Sequence, residues 1–212
     1  MQNANVSDKT IGRLSTYRRL LLYRFGTAGQ SHIYSYQIAG LAGVTAAQVR
    51  RDLMVVGYSG SPNKGYRVED LVGSIGEFLD RPEGQNVGLI GIGNLGRAIL
   101  TYFSGRRPKL TIVAAFDSAP DKINRTIHGC RCYAVEEFPA VAARENITVG
   151  IITTPADAAQ RVAETLVECG VRGILNFAPV ALKLPPGVHC EDIDMTMALE
   201  KVAYFARKLA RD

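Results

Sequence analysis

No stretch of this chain stays apolar long enough to cross a bilayer: runs such as Thr111–Phe116 fall far short of the roughly 18 residues needed. Cysteine is scarce, four in 212 residues, which excludes a disulfide scaffold. Met1–Lys9 is polar and carries no apolar stretch, so no secretory signal is expected, and the thiols are expected to stay reduced in the cytoplasm. Internal repeats and low-complexity tracts are missing too, as is any motif that would activate a nucleophile. His32 and His189 stand alone. His128-Gly129-Cys130-Arg131-Cys132 offers C-x-C instead of the C-x-x-C of zinc sites and has no second pair nearby. Cys130, Cys132, Cys169 and Cys190 therefore read as structural thiols, and no metal is expected. What remains is ample for a folded core: 47% hydrophobic and 21% charged residues over a length that suits one large domain or two small ones.

The net charge of +5 is unevenly placed. Residues 1–67 hold nine Lys/Arg against Asp8 and Asp52, a balance of +7, while the rest of the chain carries −2. A basic segment joined to a near-neutral one points to one part that meets a polyanion; the bland alternative is a solvated basic face. Within the basic part, Ile11, Leu14, Tyr17, Leu21, Leu22 and Phe25 recur at helical spacing and predict a helix over 10–27, stopped by Gly26 and Gly29. Ser35 is placed to cap a second helix, Tyr36–Ala42, and Thr45 a third, Ala46–Val56, with Gly43 and Gly57 as stops. Two short helices around Gly43-Val44-Thr45 match a helix-turn-helix. The turn-rich Gly57–Tyr66 then predicts a β-hairpin wing, followed by a helix over Val68–Leu79. Gln48, Arg50 and Arg51 on the third helix have the chemistry to read base edges or hold phosphates, and Lys64 can reach a phosphate or the minor groove. The candidate DNA contacts are Thr45, Ala46, Gln48, Val49, Arg50, Arg51, Lys64 and Tyr66.

After the polar Asp80–Gln85 stretch, strands and helices alternate. Continuous apolar runs such as Val87–Ile92 suit strands covered on both faces, hence a parallel sheet. Gly91-Ile92-Gly93-Asn94-Leu95-Gly96 follows such a strand and opens a helix, the context in which G-x-G-x-x-G cradles a pyrophosphate. Asp117 ends the next strand, 21 residues after Gly96, placed to accept from ribose hydroxyls and to repel a 2′-phosphate, which favours NAD(H) over NADP(H). Thr153-Thr154-Pro155 and Asn176-Phe177-Ala178-Pro179 fall at later strand ends, where ligands of open α/β sheets bind. Thr154, Pro155, Asn176, Phe177, Ala178 and Pro179 join the cofactor candidates, Phe177 and Pro179 as an apolar wall for a nicotinamide. The last helix, Thr196–Ala210, carries Leu199, Val202, Phe205, Ala206 and Leu209 on one stripe with no evident place in the sheet. The expected architecture is α/β: a winged-helix domain over 1–80, a linker over 81–85, a Rossmann-type domain over 86–194 and a helix over 195–212.

The motifs Arg13–Arg19, Gly43–Leu53, Gly65-Tyr66, Gly91–Arg97, Ala114–Asp117, Pro155–Gln160 and Gly173–Pro179, in this order and spacing, resemble the Rex family of bacterial redox-sensing transcriptional repressors. The resemblance spans nearly the whole chain. It implies binding of NADH and NAD⁺, a homodimer with exchanged C-terminal helices, and operator DNA that is bound when NADH is low and released when NADH binds. By position it also implies a switch made of Arg19 at the domain junction, Tyr102 near the nicotinamide and Asp194 before the last helix. The chain departs from the family pattern at Met54-Val55-Val56-Gly57 and at the wing Ser61-Pro62-Asn63-Lys64. A rival reading, a small NAD-dependent oxidoreductase, needs a substrate domain and a proton donor that the strand-end motifs do not offer. A third, a nucleotide-binding regulatory subunit, would neither turn over NADH nor bind DNA.

Overall fold

The structure, a computed structural model, describes residues 6–25, 31–61, 63–106 and 109–209. Gly26, Gly29, Pro62 and Ala210 lie outside the described residues. The chain forms two compact units, Met1–Pro82 and Glu83–Asp212.

The first unit holds α1 (Asp8–Phe25), β1 (His32–Ile33), α2 (Ser35–Ala42), α3 (Ala46–Val55), β2 (Tyr66–Arg67) and α4 (Val68–Leu79). Leu14, Tyr17 and Leu21 put one face of α1 into a core shared with Ile38, Val49, Leu53, Leu71 and Ile75. Ile11 and Leu22, counted on that stripe by periodicity, are exposed instead. The cap of α2 is Tyr34 and not Ser35: the Tyr34 N–H donates to Gln37 Oε1 at 2.8 Å. Thr45 does cap α3, its hydroxyl accepting the Gln48 N–H at 3.1 Å. The wing differs from the expected hairpin. Among the described residues its own pairing is a single bridge, with Ser61 and Gly65 exchanging two 2.8 Å backbone bonds. The strand that follows, β2, pairs with β1, Ile33 opposite Tyr66, a two-residue strand too short to show a pattern.

The second unit is built on a seven-stranded sheet. Its strands are β3 (Gln85–Ile90), β4 (Leu110–Asp117), β5 (Thr126–Ile127), β6 (Cys130–Ala134), β7 (Ile147–Ile152), β8 (Gly173–Asn176) and β9 (His189–Asp192). They are ordered β5-β6-β4-β3-β7-β8-β9, and every pair is parallel except β5 with β6. From β6 to β9 this is the doubly wound order, with its reversal point between β3 and β7. The helices are α5 (Asn94–Phe103), α6 (Phe138–Glu145, after a 3₁₀ turn at Val135–Glu137), α7 (Ala156–Glu168) and α8 (Met195–Leu209). The strands read as unbroken apolar runs because both faces are covered: Leu89, Ala115 and Ile151 enter one core, Ile90, Phe116 and Ile152 the other. No residue of α8 is buried. Its apolar stripe, Leu199, Val202, Phe205 and Leu209, is 54–73% exposed.

Candidate functional site

The ends of β3, β4 and β7 lie level, Ile90 being opposite both Phe116 and Ile152. Just beyond them Gly91 turns the chain at φ +97°, a left-handed conformation in which a Cβ would lie 2.8 Å from the Thr153 carbonyl oxygen. At Gly96 a Cβ would collide with the Gly91 carbonyl oxygen, so helix and turn pack as closely as this only with glycine. Gly93 is the opposite case: a Cβ there would meet nothing within 4 Å. That open space, at the N-terminus of ten-residue α5, is where the sequence places a pyrophosphate. Asn94 is exposed and Leu95 half-buried beside it, while the Ile92 side chain is buried in the core and only its backbone faces the crevice chemistry.

Asp117 is 8% exposed at the end of β4. One oxygen accepts the Ile92 N–H at 2.6 Å and faces Lys122 Nζ at 3.0 Å; the other accepts the Ala119 N–H at 2.9 Å. Burial pushes its pKa up, but the Ala119 and Ile92 amides and the Lys122 ammonium outweigh this and hold it below the usual carboxylate range. The second oxygen keeps capacity for a hydroxyl donor. Lys122 was not singled out by sequence; the signal was a cation five residues past a strand-end acid. On the other side of the reversal point, Thr153 Oγ1 closes on the Gly91 carbonyl at 2.7 Å. Thr154 Oγ1 is buried and finds no hydrogen-bond partner among the described residues. Pro155 is exposed beside it. An open cradle, a strand-end carboxylate and an orphaned hydroxyl fit a dinucleotide.

Asn176 departs from the expectation. It is 1% exposed, and its amide is consumed inside the protein. Nδ2 donates to the Val180 carbonyl at 2.9 Å and Asp192 at 2.7 Å, and Oδ1 accepts the Ala178 N–H at 3.0 Å. It clamps the strand-end loop to β9 and offers no free amide to a ligand. Ala178 is buried with it, leaving half-buried Phe177 and exposed Pro179 as the available wall.

In the first unit Arg50 and Arg51 are exposed on α3, as is Thr45, with Ala46 half-buried. Arg50 donates to Ser35 Oγ at 3.1 Å and Arg51 to Gln48 Oε1 at 3.2 Å. Lys64 is exposed in the wing turn. Two expected contacts are corrected. Val49, 0% exposed, is core and has no surface to give DNA; Tyr66, 8% exposed, packs under the wing. Gln48 is half-buried and donates to Asp52 at 2.9 Å. Asp52 is the residue that sequence reasoning passed over. It is 2% exposed and takes two 2.7 Å bonds from Arg13, one of 2.8 Å from the Tyr17 hydroxyl and that of Gln48. Burial raises its pKa, and the donors from Arg13, Tyr17 and Gln48 more than reverse this. Its signal was an acid alone among cations.

The three residues of the expected switch are not gathered in one chain unit. Arg19 is exposed on α1 of the first. In the second, Tyr102 is 55% exposed, eight residues along α5 from Asn94 and thus about 12 Å from the glycine turn. Its ring lies 4.5 Å under the Arg106 guanidinium rather than at the strand ends. Asp194 is exposed and caps α8, accepting the Met197 N–H at 2.8 Å.

A family model described as "CoA binding domain" matches residues 83–180, and another, "Putative DNA-binding protein N-terminus", matches 5–53. The redox-sensing transcriptional repressor Rex of Desulfitobacterium hafniense is 38% identical over 96% of this chain and 97% of its own. The solved Rex-family repressor RSP, in complex with beta-NAD⁺ and operator DNA, superposes with TM-score 0.87 at 33% identity, covering 98% of this chain and 95% of RSP. Its beta-NADH complex gives 0.83 at 32% identity, covering 98% of this chain and 97% of RSP. Similarity of this degree runs over nearly the whole of both chains in each comparison, and the chain belongs to the Rex family of redox-sensing transcriptional repressors.

Proposed function

We propose that this chain is a DNA-binding repressor that senses the balance of NADH and NAD⁺, holding operator DNA when NADH is low and releasing it when NADH binds. The observation that carries the reading is full-length similarity to RSP, solved with operator DNA and beta-NAD⁺ and again with beta-NADH. In this assignment residues 1–80 meet DNA, 81–85 link, 86–194 bind the dinucleotide and 195–212 dimerise. The backbone around Gly93 and the N-terminus of α5 would hold the pyrophosphate, Asp117 a ribose hydroxyl, and Thr154 and Phe177 the nicotinamide end. The dinucleotide brings the redox difference, one positive charge on the nicotinamide ring. Burying that charge against Phe177 and Pro179 is costly, which favours the reduced form. The strand-end motifs contain no histidine or lysine to move a proton, so no turnover is proposed.

Tighter NADH binding moves DNA affinity only if it favours one arrangement of the protein over another. The residues assigned to that difference are Arg19, Tyr102 and Asp194. Arg19 would pair with Asp194 of a second copy in the DNA-bound form, and Tyr102 would compete for that carboxylate once reduced nicotinamide is bound. The exposed stripe of α8 supplies the dimer contact; truncation before Met195 should leave a monomer or an aggregate by size exclusion with light scattering. The site of action in this reading is the cytoplasm, where a bacterial operator lies; among the described residues no helix is long and apolar enough to cross a membrane. The deciding experiment is duplex-DNA binding of the purified protein, titrated separately with NADH and NAD⁺. Release by NADH alone supports the reading; NADH oxidation with a 2-oxo acid and no DNA binding overturns it.

A further inference from the structure

Tyr34-Ser35-Tyr36, at the start of α2, joins the wing turn to α3. The Tyr34 hydroxyl donates to the Asn63 carbonyl oxygen in the wing turn at 2.9 Å. Ser35 Oγ accepts from Arg50 of α3 at 3.1 Å. The rings of Tyr34 and Tyr36 stack at 5.6 Å, 15° from parallel, and are 37% and 63% exposed. Among the described residues the wing has only the Ser61–Gly65 bridge of its own, and Gly65 sits at φ +73° where a Cβ would press on the Ile33 carbonyl and the Tyr34 ring. So the turn that presents Lys64 is fixed from outside, by Tyr34.

We propose that this aromatic pair belongs to the DNA contact. Tyr34 is a positioning residue that locks the wing turn and so sets where Lys64 meets the duplex. Tyr36 gives its hydroxyl to a backbone phosphate. The proposal rests on the DNA-binding reading above. The first helix of a helix-turn-helix crosses the phosphate backbone, and tyrosine hydroxyls are common phosphate donors. A ring already stacked has little rotamer freedom left to lose on binding. The surroundings are cationic, with Arg50 bonded to the intervening serine and Lys64 next to the clamped carbonyl. As apolar surface alone the pair gains little, since neither ring enters the core of the unit.

The test uses the full-length protein and a labelled duplex that the wild type selects from a randomised library. Affinity is read by anisotropy, and backbone contacts by hydroxyl-radical footprinting. Tyr34→Phe removes one hydroxyl, and Tyr36→Phe another. Each should weaken binding roughly two- to tenfold, the range of one hydrogen bond. Tyr34→Phe should lose protection on the wing side and keep it under α3, with the thermal midpoint and NADH response unchanged. Tyr36→Phe should lose a different, single stretch of backbone protection. Wild-type affinity and footprints in both variants overturn the proposal, as does a lowered thermal midpoint with uniform loss of the footprint, the mark of a merely structural role. If the wild type selects no duplex, the DNA-binding reading itself falls and takes this with it; that outcome is recognised before any variant is compared.

Discussion

Among the described residues each unit buries one aspartate, and the two are held in different ways. Asp52 is saturated by side chains: a bidentate guanidinium, a phenol and an amide, drawn from α1 and α3. Asp117 is held by two backbone amides and one ammonium, at a strand end beside open space. A carboxylate closed in by side chains has nothing left for a ligand, and its work is to fix α3 on α1. One held by backbone at the edge of a crevice stays put whether or not a ligand arrives, and keeps an acceptor for it. Burial alone therefore does not mark a ligand site; the identity of the donors and the remaining capacity do.

The largest effect should come from breaking the closed cluster. Asp52→Ala leaves a partly buried guanidinium and a buried phenol without their acceptor, and should cost about 3 kcal/mol. Denaturant unfolding of the full-length protein reads this as an earlier transition of the first unit. DNA affinity should fall with it, because α3 loses its anchor, while NADH affinity is retained. An unchanged transition would remove the distinction drawn between the two aspartates.

Gly93→Val probes the open side of the other site. The new side chain meets no protein atom at its Cβ, so stability should hold, yet it fills the place proposed for the pyrophosphate. Calorimetry should find no NADH binding to a normally folded protein. Asp117→Ala should act less on affinity than on choice. It removes the charge that repels a 2′-phosphate and uncovers Lys122, so NADPH should gain on NADH by about 1–2 kcal/mol, the scale of a charge-assisted hydrogen bond. Lys122→Ala should move the preference the other way.

Much of this was legible in the sequence. The bounds of α4 follow from apolar spacing and flanking turn residues, and the start of α5 and its glycine turn from the strand–helix context. What escaped lacks local pattern. β1 has two residues, and β9, His-Cys-Glu-Asp, has no apolar alternation because it lies at a sheet edge. Val49 and Gln48 share a helix with Arg50, and sequence alone does not say which of its faces meets α1. Asn176 looked like a ligand amide because its partners, Val180 and Asp192, come from a loop and an unread strand. In each case the type of residue was informative and its long-range partner was not visible.

The smallest effect expected is on acid stability, and it returns to the two aspartates. Both have folded-state pKa values below the ordinary carboxylate range. A depressed folded pKa means the unfolded chain takes up protons first as pH falls. Each aspartate therefore contributes its full stabilisation above about pH 4, the unfolded value, and loses it as pH drops through the lower folded value. Urea midpoints measured from neutrality downward should stay level for these groups until about pH 4 and then decline. Asp52→Asn should flatten the decline of the first unit only, and Asp117→Asn that of the second only. The ligand separates them further. A dinucleotide whose ribose hydroxyl donates to Asp117 favours the ionised form, so saturating NADH should leave the onset near pH 4 and extend the second unit's decline to lower pH. It should leave the Asp52-dependent limb where it was. A shift of both limbs by NADH would mean that the two carboxylates are coupled, and that Asp52 is more than an anchor for α3.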